Sequence, residues 1–261
     1  MNHLSVLLKK EWLEASRSYK LLWFPVVFMF LGIIQPLSSY YLPQILELAG
    51  GLPEGVNIAL PQITAEDVLA STVTNQFDQL GLLVIVIGMM SIVVSDKDNG
   101  MLTFILTRNA SLGEYLLGKW IGQAAIVAGA VATGMLIAGL YTSYLYSFVP
   151  LSRIVAGLGV YYTWCLFMVT LTLLMGSLLS RSSGVAVVSL FVLIFLKVAT
   201  ALGSGFQIMN PAHLTNHAVH IMISGSALPH FMTTAAVTLL LIVVFLILSH
   251  FYLSRKELPA S

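Results

Sequence analysis

SDKDNGMLTFILTRNASLGEYLLGKW, residues 95–120, is the stretch that decides how the chain is organised. Of the 12 basic and 11 acidic residues in 261, six stand here: Asp96, Lys97, Asp98, Arg108, Glu114 and Lys119. On both sides lie apolar runs long enough to cross a bilayer. A charged, turn-containing segment between two such runs must stand outside the hydrocarbon. Residues 95–118 are therefore the natural surface for something in the cytosol to push against.

Composition sets the class. Hydrophobic residues make up 58% of the chain and charged residues 9%, against about 25% charged in soluble domains, and the mean hydropathy is +0.92. The fold expected is an all-α polytopic membrane protein. A net charge of +1 with no single basic patch gives no sign of nucleic-acid binding, and no nucleic-acid partner is expected. The lone Cys165 lies in an apolar run and excludes a disulfide framework or a cysteine metal site. Lys9, Lys10, Glu11 and Glu14 interrupt the N-terminal region, and no small-residue cleavage site follows the first apolar run, so no cleavable signal peptide is expected.

Outward from the charged stretch, towards the N-terminus, residues 77–94 form the second span and residues 21–41 the first, with Pro25 near one end and Pro36 near the other. Pro36, which cannot donate the helical hydrogen bond, is expected to bend or end that span. Between them residues 42–75 carry Pro43, Gly50, Gly51, Pro53, Gly55 and Pro61, four acidic residues and no Lys or Arg. They read as an external loop with one short helix from Thr64. Residues 2–20 read as an amphipathic helix in the membrane interface. Leu4, Leu7, Leu8, Trp12, Ala15 and Tyr19 take one face, and Lys9, Lys10, Glu11, Glu14, Arg17 and Lys20 take the other.

Towards the C-terminus, the third span, 120–146, is rich in Gly and Ala, which let helices approach closely in lipid. It is expected to be buried against neighbouring helices or a second subunit. The fourth span is 154–179, the fifth 185–202 after a tight turn at Arg181–Gly184, and the sixth 231–253. Residues 206–229 are too polar to cross and read as one or two short helices at the outer surface. Six spans put both termini on one side. With them inside, Lys9, Lys10, Arg17, Lys20, Lys97, Arg108, Lys119, Arg181, Arg255 and Lys256 are cytoplasmic, Arg153 alone is external and Lys197 is intramembrane. That asymmetry follows the positive-inside rule.

Four features could carry chemistry. GEYLLGKW, residues 113–120, comes within one residue of the phosphate-loop pattern. Trp120 replaces the magnesium-binding Ser or Thr, and no buried strand precedes it, so nucleotide binding by this chain is not expected. Ser204 would be the nucleophile of an intramembrane hydrolase, but it sits in GSGF at a span end, where small residues more often mark a helix break. His213, His217 and His220 share one helical face and are weak candidates for zinc or copper, with His230 as a fourth, although residues 206–229 hold no acidic group to orient them. A metal-handling role is accordingly the weaker alternative to the polar face of an amphipathic helix. Lys197 is costly inside the fifth span unless it is paired or reaches water, and Asp78, near the outer end of the second, is its candidate partner.

The layout resembles that of ABC-2 type transporter permeases, in particular the short Bacillus-type, YxlG-like permeases encoded beside a separate ATPase. The residues that carry the resemblance are Asp96, Asp98 and Gly100, the apolar patch 101–106, the phrase EYLLGK at 114–119, and the opening LLKKEWLEASRSYKLLW at 7–23. Where this chain has Asp96 or Asp98 the family often carries Glu. The resemblance implies a non-enzymatic permease subunit of an exporter, working as a homodimer or with a sibling permease in the bacterial cytoplasmic membrane. Two copies of an ATPase would bind below it and carry the ATP and magnesium. Residues 95–118 would then include the coupling helix, with Asp96, Lys97, Asp98, Gly100, Arg108, Glu114 and Lys119 as coupling residues. The interfacial helix, with Lys9, Lys10, Glu11, Trp12 and Arg17, would lie alongside. No residue marks the cargo.

Overall fold

A computed structural model of the chain describes residues 3–48, 63–102 and 111–257, the side chains of 3, 46–48, 204 and 256–257 aside. It is an all-α multi-pass membrane protein. Among the described residues six helices are long and apolar enough to cross a bilayer and there is no strand. Helix α1 (His3–Arg17) is followed by α2 (Lys20–Leu48), then by a long rod, α3 (Ala65–Asp98), and by α4 (Leu112–Leu145), α5 (Leu151–Leu178) and α6 (Ser182–Ala199). Two short helices, α7 (Ser204–Met209) and α8 (Leu214–Ser224), precede the last span, α9 (Phe231–Glu257). The six spans alternate in direction, so α1 and the end of α9 share one end of the bundle, the terminal end, and α7 and α8 occupy the far end.

Two expected boundaries move. The first helix does not stop at Pro36 but runs through Pro36 and Pro43 to Leu48, because in a bilayer a helix is the cheapest home for backbone polar groups and neighbours take up the ones proline frees. The second begins at Ala65, inside what reads as an external loop to residue 75. Thr64 caps it with a reciprocal capping box, accepting from the Asp67 amide at 3.2 Å while the Asp67 carboxylate accepts from the Thr64 amide at 3.1 Å. The described parts of 95–118 are the last turn of α3, a turn at Asn99 and Gly100 followed by helical Met101 and Leu102, and the first turns of α4; the stretch 103–110, with Arg108, lies outside the described residues.

Glycine decides how closely α4 is approached. A Cβ on Gly134 would lie 2.6 Å from the Phe28 carbonyl oxygen of α2, and one on Gly32 would run into the Gly134 backbone. At the terminal end α1 crosses α4 over Gly118 and Gly122, where added Cβ atoms would lie 3.2 Å from Leu7 Cβ and 3.1 Å from Glu11 Cβ. The small-residue face of α4 is thus spent within the chain, against α1 and α2. Aromatic rings fill the centre: Phe28 meets Phe77 edge-on at 5.3 Å, and Trp164 stacks on Phe167 at 5.5 Å. The apolar flanks of α6 and α9, with Phe191, Phe195, Leu240 and Ile247, face outward, as spans bordering lipid do.

Candidate functional site: a buried charge cluster at the terminal end

α4 carries Tyr115, Lys119 and Gln123 at four-residue spacing, which puts them in one stripe along one face. All three are buried, with Lys119 only 1% exposed. A lysine ammonium is costly to hide without anions beside it, and here two are supplied from different helices. Glu11 Oε1 of α1 lies 3.0 Å from Lys119 Nζ, and Asp96 Oδ2 of α3 lies 2.9 Å from it. The Tyr115 hydroxyl donates to the same Asp96 oxygen at 2.9 Å. Lys10 closes the outer rim, 3.5 Å from Asp96, 3.4 Å from Glu11 and 3.1 Å from Glu14. Burial works against the Lys10 ammonium, yet Asp96, Glu11 and Glu14 together hold its pKa above the ordinary lysine value. One step inward, Lys20 donates to Gln123 Oε1 at 2.5 Å.

Three helices are therefore joined at one point. Helix α1, the end of α3 and the start of α4 are tied together there through Lys119. The backbone supports the junction: Ser18 and Tyr19 form the elbow between α1 and α2, with Tyr19 in the left-handed region at φ 55°, a cost of roughly 1–2 kcal/mol that the packing of α1 must meet.

The expected coupling residues divide sharply. Asp96 and Lys119 face inward, in the cluster. Lys97 also turns inward, donating to the carbonyls of Gly176 at 2.9 Å and Ser177 at 2.7 Å, and so closes the C-terminal end of α5, where helix carbonyls lack amide partners. Glu114 forms a capping box with Ser111 that starts α4. Asp98 and Gly100 remain outward, Gly100 at φ +65° with nothing among the described residues within 4 Å of its missing Cβ. Successive helix positions point about 100° apart, so a run of neighbouring charges cannot all face one partner.

The two faces expected of α1 are also redistributed. Glu11 and Ala15 are buried against α4, whereas Trp12, Leu13 and Val6 are exposed, along with Lys9 and Arg17. Glu11 can turn inward because Lys119 waits there. Periodicity alone groups it with the other charges of α1. Tyr115 and Gln123 were not among the residues the sequence picked out, although their spacing with Lys119 is a legible signal.

A second ionic pair lies deeper. Residues Thr72–Gly81 of α3 form a π-helical stretch in which the Leu82 amide reaches back to the Phe77 carbonyl and passes over that of Asp78. Lys197 of α6 takes up the neglected oxygen, donating to the Asp78 carbonyl at 2.7 Å and pairing with its carboxylate at 3.0 Å. The Trp164 indole donates to the other carboxylate oxygen at 2.8 Å. Such π-helical insertions often mark functional sites.

The histidines of α8 and the turn before it do not converge. His213 and His217 meet ring to ring at 4.8 Å, while the His220 ring bonds the Ser226 carbonyl at 2.7 Å. Among the described residues no three His, Cys, Asp or Glu come together as a metal ion needs. Burial, with His213 and His220 nearby, pushes the His217 pKa down to about 4, and burial lowers that of His213. The Ser204 side chain lies outside the described residues.

Residues 59–258 match a family model described as "Protein of unknown function (DUF2705)". The chain is 31% identical over 258 residues, covering 98% of its own length and 99% of the relative's, to a Bacillus subtilis (strain 168) protein that carries the name "Uncharacterized transmembrane protein YxlG".

Proposed function

We propose that this chain, which belongs to the DUF2705 family, is the permease subunit of an ABC-2 type exporter in the bacterial cytoplasmic membrane, with both termini cytoplasmic. It has no enzymatic activity of its own. Two copies of a separate ATPase subunit bind ATP and magnesium, and their closure drives a pair of permease chains, as a homodimer or with a sibling, to move cargo outward. The observation that carries this reading is the Lys119 bridge from Glu11 to Asp96. A motor working from the cytosol needs rigid parts of the permease to push, and this bridge makes one rigid body of the interfacial helix and the ends of the second and third spans.

Within 95–118 the roles differ by orientation. Asp98 and Gly100 face the motor, while Asp96, Lys97 and Lys119 hold the segment to the bundle. Lys97 passes the motion on to the fourth span through the carbonyls of Gly176 and Ser177. The Asp78–Lys197 pair fastens the fifth span to the second, so a shift of the second is felt across the bundle.

Isolation of the tagged chain from native membranes tests the proposal. An ABC ATPase should be retained in stoichiometric amount, and Asp98→Trp should release it while the permease stays monodisperse. Isolation of the chain without any ATPase, from membranes in which the neighbouring ATPase is expressed, overturns it.

A further inference from the structure

A cavity of about 300 Å³ opens at the terminal end between α1, α2, α3 and α4, at the low end of the range for ligand sites. Lys20, Gln123 and Glu11 line its buried inner wall, and the exposed Glu14, Ser91, Trp23 and Ile87 border its mouth. Lys20 is 7% exposed. Its three N–H donors meet a neutral amide oxygen, that of Gln123, and the face of the Phe24 ring 5.2 Å away. No carboxylate lies within ion-pair distance of it among the described residues, in contrast to Lys10 and Lys119, which have two or more each. Glu11 and Glu14, which also line the cavity, act on this ammonium only from beyond that distance, so it faces the cavity without a direct anionic partner, as a binding group in want of a ligand.

The position defines the ligand's depth. Lys20 is the first residue of the first span, and Ser91 lies near the end of the second, so the cavity sits where hydrocarbon gives way to headgroups. One side of its mouth is apolar, opposite the exposed Glu14, Ser18 and Ser91: Trp23 and Ile87 are exposed there, and Val26 and Phe30 continue the same exposed surface along α2. A free polar solute has no use for that flank, whereas a molecule with acyl chains does. Basic pockets between spans take lipid headgroups.

Charge narrows the choice. The cavity and the cluster behind it hold Lys10, Lys20 and Lys119 against Glu11, Glu14 and Asp96, three of each sign. A neutral group matches this wall better than an anionic one. We infer that the cavity binds the headgroup of a zwitterionic aminophospholipid, with its phosphate on Lys20 and its primary ammonium towards Glu14 and Ser91, and with its acyl chains along Trp23, Val26 and Phe30. A primary ammonium suits these oxygen acceptors; a quaternary one calls for a cage of several aromatic faces, and among the described residues Trp23 is the one aromatic residue on the cavity wall.

Native mass spectrometry of the purified full-length chain in detergent tests the site, with dioleoyl phosphatidylethanolamine, dioleoyl phosphatidylglycerol or inorganic phosphate added. One phosphatidylethanolamine per chain is expected, held about tenfold or more tighter than phosphatidylglycerol. Lys20→Met should weaken it by about tenfold or more, the worth of a charge-assisted hydrogen bond. Ser91→Trp, which fills the cavity and leaves every charge in place, should weaken it equally and decides the matter if Lys20→Met does not fold. Equal affinity for the two lipids, or binding unchanged in Ser91→Trp, overturns the inference. Displacement of the lipid by millimolar inorganic phosphate reassigns Lys20 to a free anion and overturns it too.

Discussion

Lys197 Nζ donates to the Asp78 carbonyl at 2.7 Å while it pairs with the Asp78 carboxylate at 3.0 Å, so one ammonium satisfies both the irregular backbone of α3 and its buried charge. Removing one partner of a buried pair strands the other, at roughly 3–5 kcal/mol when fully desolvated. Lys197 is 26% exposed, which puts the expected loss nearer 2–3 kcal/mol for Lys197→Met. The double variant Asp78→Asn with Lys197→Met should recover a good part of this, as read by thermal unfolding in detergent. Additive losses would mean that the pair is not the unit of stability.

Lys119→Met should loosen α1. Of their ion-pair partners Glu11 and Asp96 would keep only Lys10, which stands on the rim, although the Tyr115 hydroxyl still donates to Asp96, and the loss is expected at about 3 kcal/mol. Hydrogen exchange along α1 should speed at least tenfold relative to the native chain, while exchange in the middle of α5 stays slow. Uniform acceleration throughout would show instead that the cluster supports the whole bundle and not the docking of α1.

Two glycines of the same helix should behave oppositely. Gly134→Val places side-chain atoms against the Phe28 carbonyl of α2 and should cost about 1–3 kcal/mol or more. Gly129 has nothing within 4 Å of its missing Cβ, and Gly129→Ala should be neutral or stabilising by up to about 1 kcal/mol through helix propensity. Melting temperatures in one detergent compare the two directly. Equal losses would contradict the packing of α2 on α4.

Much of this was legible in the sequence, for physical reasons. Apolar length fixes the spans, and the cost of an intramembrane charge draws attention to Lys197 and Asp78. The inward turn of Glu11 was not legible, because helical periodicity groups charges by face and cannot foresee a partner more than a hundred residues away. Of the two outcomes expected at Pro36, a bend or an end, the end does not occur, because a bilayer offers freed backbone groups no water and the helix continues past the proline. The π-helical stretch at Thr72–Gly81 leaves no mark in composition; it shows only in where the Leu82 amide goes.

His217 makes stability depend on pH. Its folded pKa of about 4 lies below the ordinary value of about 6.5, so the unfolded chain takes up the proton first. Stability is therefore full above pH 6.5 and falls as pH drops from 6.5 to 4, by roughly 3 kcal/mol in all. His217→Phe should flatten that part of the profile in thermal unfolding measured from pH 7 to 4. A slope that survives the substitution would assign the effect to other groups.

The central claim is that a motor on another chain presses on the outward face of 95–118. Cys165 is the single cysteine and is buried, so Cys165→Ser with Asp98→Cys leaves one reactive thiol at that face. Cross-linking in native membranes with a short bifunctional reagent should join the chain to an ABC ATPase, and the same thiol moved to Tyr144, exposed at the far end of α4, should not. An ATPase joined through neither position, or through Tyr144→Cys alone, would contradict the account.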